Sequence, residues 1–288
     1  MTKVKIGERW VGDGEPCYVI GEIGINHNGE VALANQLTDV SAEAGADAVK
    51  FQKRTLDIVY TAEELARPRE TPFGTTNGDL KRHLEFDADA YHAIGRHAAE
   101  KGLHWFASCW DEPSVAFMEQ FDVPAYKVAS ASITDDALLR AKRATGKPII
   151  ISTGMSTLEE IDHAVEVLGT DDLIILHCTS TYPSKNEELN LHCIPMLKER
   201  YGVPIGYSGH ELGLATSVAA VALGACVVER HVTLDRAMFG SDQSASIEPQ
   251  GFARLVRDIR AVEASLGDGV KRVYETEVPI RAKLRRVG

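Results

Sequence analysis

Lys50 and Gln52 stand two positions apart at the end of an apolar run, and Glu229 and His231 repeat that spacing far down the chain. In an extended strand, residues i and i+2 share a face, so each pair aims its polar groups to one side. Other apolar runs also end in polar residues: Glu22; Ser108; Lys127 and Ser130; Ser152; His177; Tyr207, Ser208 and His210. Lysines and serines converging on one mouth make an anion site. Lys50, Lys127, Ser152 and Ser208 suit a phosphate, helped by backbone amides at a helix start near Gly154 and Ser156. His210 and His231, on neighbouring runs, suit one divalent metal with positions left open for water or substrate. Asp242 adds an oxygen ligand directly or through water. The two histidines lack H-x-H or H-E-x-x-H spacing, so hydrogen-bonded structural residues are the alternative reading. For the whole ring the alternative is an ion-pair network plugging the interior, because buried charges are costly unless paired or used.

Short strands must position these side chains. The β-branched runs are 18–26, 47–52, 104–110, 125–130, 148–154, 173–179, 204–209 and 226–233. Most begin continuously apolar, as strands buried on both faces do. Helical patterns lie between them, at 31–44, 88–101, 158–168 and 212–223, and 249–266 follows the last run. Ser156 followed by Glu159 reads as a capping box. Eight such units without a shorter repeat predict an α/β fold, a closed (β/α)8 TIM barrel over residues 1–270, with 271–288 as a C-terminal extension or truncated linker. The alternative, a doubly wound open sheet, lacks its glycine fingerprint after the first strand. In a barrel the C-terminal strand ends build the active site, and the polar residues fall there. The Gly-, Pro- and Thr-rich stretch from Arg67 to Asp79 reads as a long ordered loop of the kind that forms lids.

With 44% of 288 residues hydrophobic, the chain can bury a core of that size. The net charge of −11 repels nucleic acid and anionic membrane, so a bound anion needs a local cluster of cations or amides. Five cysteines without C-x-x-C spacing imply reduced thiols. The N-terminus lacks a signal-peptide run, and the longest apolar stretch, 217–228, is shorter than the ~20 residues of a membrane span. A soluble, cytoplasmic protein is expected. The basic tail with Arg281, Lys283, Arg285 and Arg286 reads as a solvated helix end or linker.

Several motifs resemble those of the N-acetylneuraminate (sialic acid) synthase family. They are 21–29 (GEIGINHNG), 46–53 (ADAVKFQK), 126–130 (YKVAS), 150–156 (IISTGMS), 177–183 (HCTSTYP), 206–213 (GYSGHELG), 229–235 (ERHVTLD) and 240–249 (GSDQSASIEP). They run in order from about residue 15 to 268, and the wording of 81–86 (KRHLEF) is closer to the animal-type branch. The resemblance implies a barrel that joins phosphoenolpyruvate, an N-acetylhexosamine (N-acetylmannosamine or its 6-phosphate) and water into a nonulosonic acid plus phosphate. It implies a divalent metal, Mn²⁺ or Mg²⁺, on His210 and His231. It assigns Lys50, Lys127, Ser130, Ser152 and Ser208 to phosphoenolpyruvate, and Glu22, Gln52, Tyr182 and Asp242 to the reacting carbons, metal water or sugar hydroxyls. Glu22, Lys50 and Lys127 are the catalytic candidates; Ser108, Glu229 and Gln243 complete the substrate-binding set. A homodimer is also implied.

The chain departs from the family pattern in three places. Gln243 stands where many members carry His, Ser108-Cys109-Trp110 replaces a smaller pair and narrows the sugar pocket, and the sequence stops near the point where members continue into a small antifreeze-like domain. The alternatives are a synthase for a different nonulosonate (legionaminate, pseudaminate or a deaminated sugar acid), and a non-catalytic barrel relative.

Overall fold

The computed structural model describes residues 2–287. Eight parallel strands hydrogen-bond in chain order and close into a barrel: β1 (Tyr18–Gly24), β2 (Ala48–Lys53), β3 (His104–Cys109), β4 (Tyr126–Val128), β5 (Ile149–Ser152), β6 (Leu173–Cys178), β7 (Ile205–Gly209) and β8 (Val227–His231). A helix follows each: α1 (Val31–Glu43), α2 (Ala88–Glu100), α3 (Glu112–Met118), α4 (Asp136–Ala144), α5 (Leu158–Leu168), α6 (Cys193–Tyr201), α7 (Ala215–Ala222) and α8 (Pro249–Leu266). This is the (β/α)8 barrel the alternation of patterns predicts. Seven of the strands are buried along almost their whole length because side chains fill the interior and helices cover the outside.

Register fixes which residues share a level. Glu22 lies beside His231 on one side and Lys50 on the other. Ser108 is flanked by Gln52 and Lys127, and Ser208 by Cys178 and Glu229. A bulge between Glu22 and Gly24 shifts the β1–β2 register before the last pair, Gly24 with Phe51, and bulges commonly re-aim side chains beside active sites.

The opposite end is closed by a feature the strand count does not include, an antiparallel hairpin of Lys3–Ile6 and Arg9–Gly12. Val4, Ile6 and Val11 join the main core, and Arg9 pairs with Asp47, whose carboxylate also accepts from the Val19 amide at 2.6 Å.

Three local expectations change. The segment 67–79 is not a plain loop: Pro68–Thr71 and Gly74–Thr76 form a hairpin, and a helix, Asn77–Leu84, starts within it under a Thr76–Asp79 capping box. The α5 capping box is Thr157 with Glu160, one residue on from Ser156 and Glu159, and Ser156 Oγ donates instead to the Gly154 carbonyl at 3.2 Å. Helix α7 begins at Ala215 rather than Leu212, because Glu211 and the Gly213 carbonyl bind the Arg230 side chain. All five cysteines are free. Among the described residues no helix is long and apolar enough to cross a membrane. Beyond α8 lies a short helix, Val278–Leu284, whose side chains are exposed.

Candidate active site

The strand ends surround a cavity of about 220 Å³. Its wall contains Glu22, Lys50, Gln52, Ser108, Lys127, Ser130, Ser152, Tyr182, Ser208, His210, Glu229 and His231. A larger recess of about 580 Å³ opens elsewhere, beside Leu214, Leu234, Ile247 and Arg254, but it gathers no row of strand-end side chains. The smaller cavity is where the polar groups converge.

Its floor is an alternating set of charges. Lys50 Nζ lies 2.5 Å from Glu22, 3.7 Å from Glu229 and 3.1 Å from Ser108 Oγ. Lys127 Nζ donates to Ser152 Oγ at 2.6 Å and lies 3.9 Å from Glu229, which accepts from Ser208 Oγ at 3.1 Å. Burial pushes the Glu22 carboxyl up to about 7, against the pull of Lys50. Burial also acts on Glu229, but Lys127 and Lys50 outweigh it and hold that carboxyl below its ordinary value. The same carboxylates outweigh burial at Lys50 and raise it, whereas burial wins at Lys127 and lowers it. Lys50 and Lys127 thus bring two cationic side chains to the floor of one cavity inside a protein of net charge −11, each beside a serine hydroxyl. An anionic substrate finds its donors there.

Ser130 Oγ accepts from the Gly154 amide at 3.0 Å, at the turn after β5. A Cβ on Gly154 would collide with Ser180 and sit 2.9 Å from Ser130 Oγ, so only glycine lets this backbone approach the cavity.

The histidines meet across β7 and β8 with ring centroids 5.6 Å apart, and Tyr182 lies over His210 at 4.1 Å. His210 Nδ1 is fixed 2.8 Å from the Thr179 carbonyl, the outer hydrogen bond that orients a ligating imidazole. Burial lowers His231 to about 4, so its ring is neutral, and its Nδ1 is buried without a hydrogen-bond partner. Gly24, at φ 55°, keeps the adjoining space open, since a Cβ there would lie 3.0 Å from Glu22 Oε1 and 3.4 Å from His231 Cε1. These features fit a divalent cation held by two nitrogens. Among the described residues no three or more His, Cys, Asp or Glu side chains are placed to hold one metal ion together, so water or substrate would complete its shell.

Some expected members lie outside the wall. Asp242 is set back but close enough to act electrostatically on His231 and Tyr182. Gln243 is buried and fully engaged: its amide oxygen accepts from Thr233 Oγ1, and Nε2 donates to the Asn26 and Phe239 carbonyls at 3.2 and 3.4 Å. It braces the loop after β8 rather than facing the cavity. His177 and Tyr207 point away too, to the Leu189 carbonyl and to Glu211. In turn, the wall includes Met155, Cys178 and Ser180, and the two-residue period counted from Leu176 is the signal for Cys178. Trp110 lines the cavity with a buried, unpartnered Nε1–H, a donor ready for a substrate oxygen.

The model of the NeuB family matches residues 37–271. The chain belongs to the NeuB family. It is 41% identical over 281 residues to the N-acetylneuraminate-9-phosphate synthase of Homo sapiens, covering 96% of this chain and 78% of that one. It is 35% identical over 285 residues to the N,N'-diacetyllegionaminic acid synthase of Legionella pneumophila, covering 96% and 80%. Among solved structures, the N-acetylneuraminic acid (sialic acid) synthetase of Leptospira borgpetersenii, in complex with citrate, superposes with a TM-score of 0.84 at 31% identity, over 99% of this chain and 98% of that one. The NeuB-family match takes in strands β2 to β8 and most of the cavity wall; Glu22 on β1 precedes it.

Proposed function

We propose that this NeuB-family barrel condenses phosphoenolpyruvate with an N-acetylhexosamine and water to a nonulosonic acid and inorganic phosphate. The observation that carries the reading is the cavity floor: two buried lysines converge there beside Glu22 and Glu229, with serine hydroxyls and the Gly154 turn around them. Lys50 and Lys127 hold the phosphate and carboxylate of phosphoenolpyruvate, with Ser130, Ser152 and Ser208 as donors. His210 and His231 would hold a divalent cation, Mn²⁺ or Mg²⁺, which would supply Lewis acidity toward the sugar aldehyde. The C3 carbon of phosphoenolpyruvate forms a bond to the aldehyde carbon as the C=O π bond breaks, leaving positive charge at C2 and an alkoxide that takes up the proton the C2 hydroxyl loses when the ketone forms. Glu22 stabilises that charge as a carboxylate or orients the water that adds there, accepting its proton. The C2–O bond to phosphate then breaks, and the lysines neutralise the departing dianion. Gln52, Tyr182 and Trp110 face the sugar, with Asp242 behind them.

The test is to incubate the purified chain with phosphoenolpyruvate and Mn²⁺, adding in turn N-acetylmannosamine, its 6-phosphate, mannose and diacetamido sugars. Sugar-dependent phosphate release with a new keto acid by mass is expected. A folded, metal-loaded chain that releases none with any sugar overturns the reading.

A further inference from the structure

Beside the catalytic cavity lies a second recess, of about 60 Å³, lined in part by Arg54, Arg69, Lys81, Asn28 and Ser241. Three cations share this small space. Arg54 is almost fully buried: its Nε donates to Glu85 at 2.6 Å, Nη1 reaches the Tyr60 hydroxyl at 3.3 Å, and Nη2 is buried without any partner. Among the described residues neither Arg69 nor Lys81 makes a salt bridge. Arg69 donates only to Asn77 Oδ1 at 3.3 Å, and Lys81 Nζ sits 3.9 Å from the Tyr60 ring centroid. An unpaired guanidinium N–H under protein is costly, and an anion entering beside Arg69 and Lys81 would satisfy it.

The recess adjoins the cavity through two residues. Gln52 lines the cavity and Arg54 follows two positions later, a rise of about 7 Å along the strand direction. Trp110 lines the cavity on one side and faces the Arg54 guanidinium on the other, 6.0 Å from the ring centroid. A six-carbon aldose whose aldehyde reacts in the cavity and whose chain runs along Trp110 would point its far end toward Arg54. The hairpin that carries Arg69 is held over this edge by Phe73, which stacks on His83 at 3.9 Å and meets Phe239 edge-on at 5.7 Å.

We infer that Arg54, Arg69 and Lys81 form a subsite for a phosphomonoester at the far end of the sugar, so the aldose is a hexosamine 6-phosphate. This rests on the synthase reading and narrows its substrate. The guanidinium groups offer planar, two-pronged donation to phosphate oxygens, and Lys81 adds a point charge.

The experiment compares kcat/KM for N-acetylmannosamine and its 6-phosphate in the wild type and in the double variant Arg69→Gln, Lys81→Met. The wild type should prefer the 6-phosphate by about 100-fold or more, as sites built around a polar group do. The double variant should lower that ratio at least tenfold. Arg69 is exposed, so Arg69→Gln alone serves if the double variant does not fold. Equal use of both sugars by the wild type, or an unchanged ratio in the variants, overturns the subsite while leaving the synthase reading intact. If neither sugar turns over, the full sugar panel decides the synthase reading and calorimetry judges the recess separately. Binding of the 6-phosphate that the variant weakens at least tenfold retains it. No binding, equal binding by both chains, or equal affinity for inorganic phosphate overturns it.

Discussion

Glu22 and Lys50 are register partners on adjacent strands, 2.5 Å apart, and burial rather than a neighbouring acid sets the Glu22 protonation balance. A carboxyl held near neutrality can be either a proton acceptor or a stabiliser of charge at C2, and glutamine can be neither. Glu22→Gln is therefore expected to lower kcat by about 10²–10⁴-fold with the fold intact. The KM for phosphoenolpyruvate should change little, because Lys50 and Lys127 remain. Steady-state kinetics with circular dichroism check this, and activity within about tenfold of wild type would remove Glu22 from the chemistry. At this scale the sequence is legible wherever a strand period applies. Lys50 with Gln52, and Glu229 with His231, arrive in the cavity as their spacing requires. Gln243 lies in a short 3-10 turn outside any strand, where no such period sets direction, and Thr233, Asn26 and Phe239 draw it inward.

The elements that carry the histidines are clamped from outside the barrel. Along β8, Glu229 and His231 face inward while Arg230 between them faces the helices, and Glu211 follows His210 after β7. Arg230 Nη1 donates to Glu211 Oε1 at 2.9 Å, to the Gly213 carbonyl and to Ser217, while Nη2 donates to the Glu211 carbonyl at 2.6 Å. Tyr207, Thr216 and Ser217 hydroxyls donate to the same carboxylate. Both charges are buried, so removing one strands the other. Glu211→Gln should cost about 3–5 kcal/mol. That corresponds to a Tm lower by roughly 10 °C. The pair Glu211→Leu with Arg230→Met should cost less than either single change, measured as a double-mutant cycle in urea. Additive costs would show that the two side chains act independently. This clamp explains the late start of α7: the 212–223 stretch is apolar enough to read as helix, but its first turn serves Arg230 instead. Elsewhere hydrophobic period located all eight strands and predicted α8 at its observed bounds. It did not register the Lys3–Gly12 hairpin, where four-residue strands are too short for period to stand out.

Over the whole molecule, stability against acid is set by buried titratable groups of opposite sign. His27, in the β1–α1 connection, is 1% exposed and stacked on Phe86 at 4.1 Å. Its Nδ1 accepts from the Gly29 amide at 3.0 Å, so protonation there destroys a hydrogen bond. Burial, with Arg54 adding repulsion, lowers it to about 3. The unfolded chain therefore takes up this proton first: its contribution is complete above pH ~6.5 and is lost as pH falls toward the folded value, by about 1.4 kcal/mol per unit. Glu22 works the other way, since a raised carboxyl favours the folded state as pH drops from about 7. Wild-type stability alone mixes the two, and a variant separates them. Asparagine at position 27 can still accept from Gly29 but cannot titrate, so His27→Asn should be less stable at pH 7.5 through lost stacking, with a shallower fall in acid. Urea denaturation at pH 7.5 and 5.5 should show the gap between the chains narrowing by about 1.4 kcal/mol. A gap that stays constant would mean that the His27 proton is not released on folding, and that the loop over β1 tolerates a charge beside Arg54 that its burial argues against.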